Sequence, residues 1–213
     1  GWVVIPSKIH DPQNFEKNVE KLKALSHHNW CTKTYNAKPY LAKGDFHVYI
    51  EKGQPKLGVR FDGDEIQEIQ GEKNNSKIPV SYFDIAKKHV EEGKYNINQG
   101  TKSEFDEAEK IKTEIEKIKK DLAEPIKQKD YQKVLEYFDV EVEKDENGLM
   151  TISNLQEPNK DLDISFNVIG IDINDLLKHI QKVKGNIYLS GNTALTSTGA
   201  LEEVGEEADF SNC

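Results

Sequence analysis

The sequence predicts an α+β protein: a small antiparallel sheet packed with helices, then a helical arm, then a small β-rich region starting a solenoid-like repeat. Three observations lead there. Residues 46–51, FHVYIE, alternate with a period of two, and further strand-like runs follow across turn signals. Apolar residues recur at helical spacing after Asp11-Pro12 and again from Phe105 to Leu122. Near the C-terminus a pattern of apolar residues repeats at an offset of 21 residues.

The expected organisation is an α+β domain over 1–100, a helical arm or α-hairpin over 101–138, and an acidic region over 139–213. Asp11 reads as a helix N-cap with Pro12 at the first helical position. Phe15, Val19, Leu22 and Leu25 then mark one apolar stripe, ending near Ser26–Asn29. In FHVYIE, Phe46, Val48 and Ile50 share one face, which leaves His47 on the other. Residues 52–55 turn the chain, Lys56–Phe61 is a second strand, and Asp62-Gly63-Asp64 opens a hairpin into Glu65–Gln70. A three-stranded meander results, although the spacing of Ile66 and Ile69 leaves the register of the third strand open. Pro79–Glu92 reads as a helix.

Ser103 reads as the next N-cap, and Phe105, Ala108, Ile111, Ile115, Ile118 and Leu122 form a near-heptad stripe. Ile111, Ile115, Ile118 and Leu122 are therefore a candidate self-association seam. Pro125 should kink or end that helix, with a second helix over about Ile126–Phe138. Val140–Glu143 and Leu149–Ile152 flank the turn Asp145-Glu146-Asn147-Gly148. Ile164–Val168 is expected as a strand and Asn174–Val183 as a helix. Ile180, Val183, Ile187, Leu189 and Ser190 align with Leu201, Val204, Ala208, Phe210 and Ser211. That makes about one and a half repeats in the range of solenoid periods, so a longer repeat protein is expected to contain this piece. The first residue is Gly and the one Met is Met150, so Gly1 is expected to be either an expression scar or a cut site.

Composition narrows the function. The net charge is −9, and residues 139–213 hold 15 Asp/Glu against 5 Lys/Arg. No basic face is apparent, so direct nucleic-acid binding is not expected. No apolar run approaches the about 18 residues of a membrane span. Cys31 and Cys213 are too few for a disulfide framework, which fits a cytoplasmic setting. No cofactor motif and no metal-ligand spacing is present, and Asp62-Gly63-Asp64-Glu65 lacks the further ligands of a calcium loop.

Two groups of residues could carry chemistry. The stretch SHHNWCTKT, 26–34, brings Cys31 close to His27 and His28, and His47 lies on the first strand of the meander. A thiol needs a base or a positive dipole to become a nucleophile, so Cys31 with His28 or His47 is the candidate catalytic set of an enzyme reading. The opposing reading buries Trp30 and Cys31 where the helix meets the sheet. The second group is polar: Tyr40, Arg60, Gln67, Gln70, Glu72, Asn74 and Asn75. Tyr40, Arg60, Gln70, Asn74 and Asn75 are its candidate ligand-binding residues, and the same loop could instead cap the helix at Pro79.

The segments WCT (30–32), Tyr40-Leu41, GDFHVYI (44–50), VRF (59–61) and EIQEIQGEKNN (65–75) resemble an uncharacterised bacterial family associated with phages and mobile elements. The C-terminal GNIYLS and LEEVGEEADFS segments resemble degenerate GGDADF-like repeats of similar bacterial proteins, although Lys184-Gly185 and Gly205-Glu206 replace the usual paired glycines. The resemblance implies no particular reaction. The leading expectation is a non-enzymatic interaction module of effector or inhibitor type, binding a basic protein partner, itself a nucleic-acid binder for example, through its acidic surface. The alternative is a cysteine-dependent enzyme built on Cys31.

Overall fold

A computed structural model describes residues 1–73, 77–158, 165–189, 192 and 194–211. Among the described residues the class is α+β, with mixed sheets and no barrel. The chain divides into two compact units, Gly1–Lys112 and Thr113–Cys213. Among the described residues no helix is long and apolar enough to cross a membrane.

The first unit begins with β1 (Trp2–Ile5), which the sequence reading missed because four residues show too little alternation. Asp11 caps as expected, its carboxylate accepting from Asn14 N–H, and Pro12–Asn14 form a 3-10 turn into α1 (Phe15–Leu25). A short helix α2 (Ala37–Leu41) precedes β2 (Phe46–Glu51), β3 (Gln54–Asp62) and β4 (Glu65–Gln70). Then come α3 (Phe83–Gly93), β5 (Asn96–Ile97) and the long helix α4 (Gln99–Asp121). The sheet order is β1-β2-β3-β4-β5, so the expected antiparallel meander is the centre of a five-stranded sheet. β1 adds antiparallel to β2, and β5 adds parallel to β4.

Both faces of this sheet are covered. Ile5, Phe46 and Val48 pack with Phe15, Val19 and Leu22 of α1 and with Ala37 and Leu41 of α2. Leu57, Val59, Phe61, Ile66 and Ile69 pack with Phe83 and Ala86 of α3 and Ala108 of α4. A register shift between Arg60 and Phe61 explains the spacing of Ile66 and Ile69. Val59 pairs with Ile69 and Phe61 with Ile66, so a bulge at Gln67 brings both isoleucines to one face.

Asn98, not Ser103, caps α4: its side-chain oxygen accepts from Thr101 N–H at 2.7 Å, and Ser103 lies inside the helix. Ile115, Ile118 and Leu122 are 5%, 5% and 2% exposed in the single chain. The stripe proposed as a self-association seam, which begins at Ile111, is therefore largely covered within the molecule itself.

In the second unit α5 (Ala123–Lys127) and α6 (Tyr131–Tyr137) replace the single helix expected over 126–138. Lys129 adopts φ +54° between them, and Asp130 caps α6. Pro125 sits in the first turn of α5, where its missing N–H costs nothing. The hairpin forms between β6 (Val142–Lys144) and β7 (Met150–Ile152). After it come β8 (Leu155–Gln156), α7 (Ile173–Leu177), β9 (Ile180–Val183), β10 (Ile187–Tyr188), β11 (Glu203–Val204) and β12 (Ala208–Asp209).

Two expectations fail here. Residues 166–170 form a turn, not a strand, held by Phe166 N–H donating to Glu157 and Ile171 N–H to the Phe166 carbonyl; Ile164 lies outside the described residues. The helix expected over 174–183 stops at Leu177, because Ile180 and Val183 are buried in a ladder with β7. Two parallel ladders run through this unit, β7-β9-β11 and β8-β10-β12. In them Lys182 pairs with Glu203, Val183 with Val204, Ile187 with Ala208 and Tyr188 with Asp209. These are partners at the 21-residue offset.

Candidate functional site

The stretch 26–34 folds as a tight handover from α1 to the sheet. Ser26 donates its hydroxyl to the Leu22 carbonyl at 2.7 Å, closing the helix, and lies 2.7 Å from the Thr32 hydroxyl. Both residues are buried. Trp30 is 1% exposed and donates its indole N–H to the Gly71 carbonyl at 2.7 Å. Its ring lies against Gly58 on β3, where any Cβ would come within 3.2 Å of Trp30 and of Phe46. A side chain at position 58 would press on both aromatics. The strand is bare there so that the indole can lie on the sheet.

This handover sets Cys31, half-buried, with its sulfur 3.7 Å from the Tyr40 hydroxyl on α2. Asn36 donates its amide to the same hydroxyl at 3.4 Å. The Arg60 guanidinium stacks 4.8 Å from the Tyr40 ring centre, and its Nε donates to Glu68 at 3.2 Å. Arg60 faces α2 because it pairs with Phe46 and Glu68 on that side of the sheet. Burial first, then the Cys31 contact, pushes the Tyr40 phenol up to about 12. The phenol is therefore a neutral hydrogen-bonding group near pH 7 and offers the thiol no base.

The structure thus brings Cys31, Tyr40 and Arg60 together and separates them from the proposed histidine bases. His47 lies on the opposite face of β2, where its Nδ1 is 2.8 Å from His89 Nε2. His28 lies against His27, with ring centres 4.1 Å apart and planes tilted by 38°. The catalytic pairing of Cys31 with His28 or His47 is not made: strand alternation turns His47 away, and the handover holds His28 against its neighbour.

His47 instead joins a cluster that the sequence reading missed. His89 stacks on Trp2 with centroids 3.8 Å apart and planes 16° apart, and Tyr95 lies edge-on to His47 at 5.6 Å. Phe61 closes the cluster at 4.5 Å from His47. Burial, followed by repulsion from His89, lowers His47 to about 4; burial also lowers His89. Both imidazoles are neutral at pH 7. The one sequence signal was the position of His47 opposite Phe46 and Val48. Nothing local pointed to residues 2, 89 or 95.

The polar loop is tied back to the fold. Gln70 is 4% exposed, the Gly71 carbonyl takes the Trp30 indole, the Glu72 carbonyl accepts from Asn29, and the Glu72 side chain pairs with Lys56 at 2.6 Å. Asn74 and Asn75 lie outside the described residues.

In the second unit, acids of the 202–207 segment meet donors of the preceding rung. Glu202 accepts from Gln181 at 2.9 Å, Glu203 pairs with Lys182 at 2.7 Å, Glu206 accepts from Asn186 at 2.9 Å and Glu207 from Tyr188 at 3.1 Å. All four acids are exposed, so each keeps acceptor capacity toward solvent. In comparisons with protein-family models, curated proteins and solved structures, nothing matches this chain.

Proposed function

We propose that this chain is a recognition module whose second unit presents an acidic surface to a basic protein partner. The carrying observation is the pairing of β9 with β11 and β10 with β12, all parallel and all at one residue offset. Such stacking supports a solenoid-like winding, an architecture that builds extended binding surfaces. Glu202, Glu203, Glu206 and Glu207 place four exposed carboxylates on its 202–207 segment. Such carboxylates steer basic partners and set specificity more than raw affinity. An effector or inhibitor carried by a phage or mobile element, as the sequence resemblance implies, would have use for this surface. The cysteine-enzyme reading has less support, since the neighbours of Cys31 are a neutral phenol and an arginine engaged by Glu68.

The test is retention of a basic protein from cell extract on the immobilised chain, at low and at high salt. Wild type is expected to retain it at low salt and release it at high salt. A variant with Glu202→Lys, Glu203→Lys, Glu206→Lys and Glu207→Lys is expected to lose it. Retention by that variant would show that the interface lies elsewhere.

A further inference from the structure

β1 is held differently on its two faces. Ile5 is buried and packs with Phe46, Val48 and α1, and Val3 packs against the same cluster. Alternation puts Trp2 and Val4 on the other face. Val4 is 46% exposed there, so the hold on that face is Trp2. Its ring stacks on His89 of α3 at 3.8 Å and lies 5.3 Å from Tyr49 of β2. His89 is in turn bonded to His47 of β2 at 2.8 Å. The two imidazoles therefore join α3 to β2 where the start of β1 is seated.

This bond tolerates one proton and not two. A ring that has gained a proton still donates to a neutral neighbour. Two protonated rings turn only N–H groups and like charges towards each other. The surroundings do little to hold that charge. β1 carries no titratable group, and β3 sets Val59 and Phe61 on this side. β2 adds Tyr49, and Tyr95 lies edge-on to His47 at 5.6 Å. The carboxylates that act on the pair are Asp45 on His47 and Glu92 on His89. Asp45 already takes the Ser7 N–H and His10 Nδ1 at 2.8 Å each, and Glu92 pairs with Lys88 at 3.7 Å. Burial opposes charge on both rings more than these carboxylates favour it.

We propose that the His47–His89 pair is an acid-operated latch: double protonation parts the rings, unseats Trp2 from His89 and frees the Trp2 end of β1 from the edge of the sheet, while Ile5 keeps the other end in place. The opening is local, because the cluster that holds Ile5 faces α1 and α2 and contains neither imidazole. The freed end uncovers the outer edge of β2, whose backbone groups are then open to pairing with another strand.

The experiment is amide hydrogen exchange of the whole chain at about pH 7 and below about pH 4, corrected for the intrinsic rates. The Gly1 carbonyl accepts from Ile50 N–H at 2.9 Å, so by alternation the Val3 and Ile5 amides point at β2. Val3 is expected to be protected at the higher pH and to exchange like an unstructured amide at the lower, while Ile5 and Val59 stay protected. His89→Gln and His47→Gln each leave one imidazole and an amide oxygen to accept its proton, so both variants should keep Val3 protected at the lower pH. Three wild-type results would overturn the latch: Val3 unprotected at about pH 7, Val3 still protected at the lower pH, or Val3 lost together with Ile5 and Val59, which is general acid unfolding. Loss at Val3 in the Gln variants equal to wild type would overturn it as well. The wild-type results decide the matter even where neither variant folds.

Discussion

His47 Nδ1 and His89 Nε2 lie 2.8 Å apart on the face of the sheet away from Cys31, with Trp2 stacked on His89. The bond needs one ring to donate and the other to accept, which two neutral imidazoles do. Asp45 and Glu92 oppose the shifts of His47 and His89 respectively, but burial dominates both.

The pair makes the first unit acid-sensitive. The folded value of His47 is depressed from 6.5 to about 4, so the folded state resists its protonation. The stability this contributes is present above about pH 6.5 and is lost as pH falls towards about 4. At 1.36 kcal/mol for each pKa unit, the loss is about 3 kcal/mol. Proton NMR of the His47 ring should show no titration until well below pH 6. A midpoint near 6.5 would mean that the ring is solvated and the cluster open.

Trp30 joins the handover to the end of β4. Trp30→Ala should cost about 3–5 kcal/mol, as large-to-small changes in a tight core do. Trp30→Phe should cost less, about 1–3 kcal/mol, largely for leaving the Gly71 carbonyl without its donor. Urea unfolding followed by circular dichroism would measure both. Near-zero costs would mean that the indole does not lie on Gly58.

Cys31 should be independent of the histidines. Iodoacetamide alkylation followed by mass spectrometry should give His28→Ala and His47→Ala rates within about two-fold of wild type, because no imidazole activates the thiol. Tyr40→Phe should change the rate, since the phenol is the hydrogen-bonding neighbour of the sulfur. A ten-fold drop in either histidine variant would restore the enzyme reading.

Gly205 reports on the rung stacking. A Cβ there would lie 1.9 Å from the Lys184 carbonyl oxygen of the preceding rung, so backbone must move. Gly205→Ala should therefore destabilise the second unit by at least about 2 kcal/mol, beyond an ordinary surface change. The natural readout is hydrogen exchange at Val204 and Gly205, whose amides lie at the rung. Both Trp residues, Trp2 and Trp30, lie in the first unit and would not report it. Unchanged exchange would argue against the pairing of β9 with β11.

Much of the fold was legible because local rules decide it. Asp11-Pro12, the FHVYIE alternation, the Asp-Gly turn and the Asp145–Gly148 hairpin each act within a few residues. The misreadings lie where partners are distant. Ile180–Val183 has apolar spacing that suits a helix end or a buried strand, and the ladder with β7 made it a strand. Ser103 had the chemistry of a cap, but Asn98 reached the helix first.

By itself, then, the sequence determined the periodic elements, their turns, the acidic C-terminal third and the 21-residue offset, all carried by short-range spacing. The tertiary structure alone decided which face each side chain joined. The Gln67 bulge brought Ile66 and Ile69 to one side, and strand alternation sent His47 to His89 and Arg60 to Tyr40. Side-chain direction in a sheet depends on register, and register is set by strands far apart in the chain.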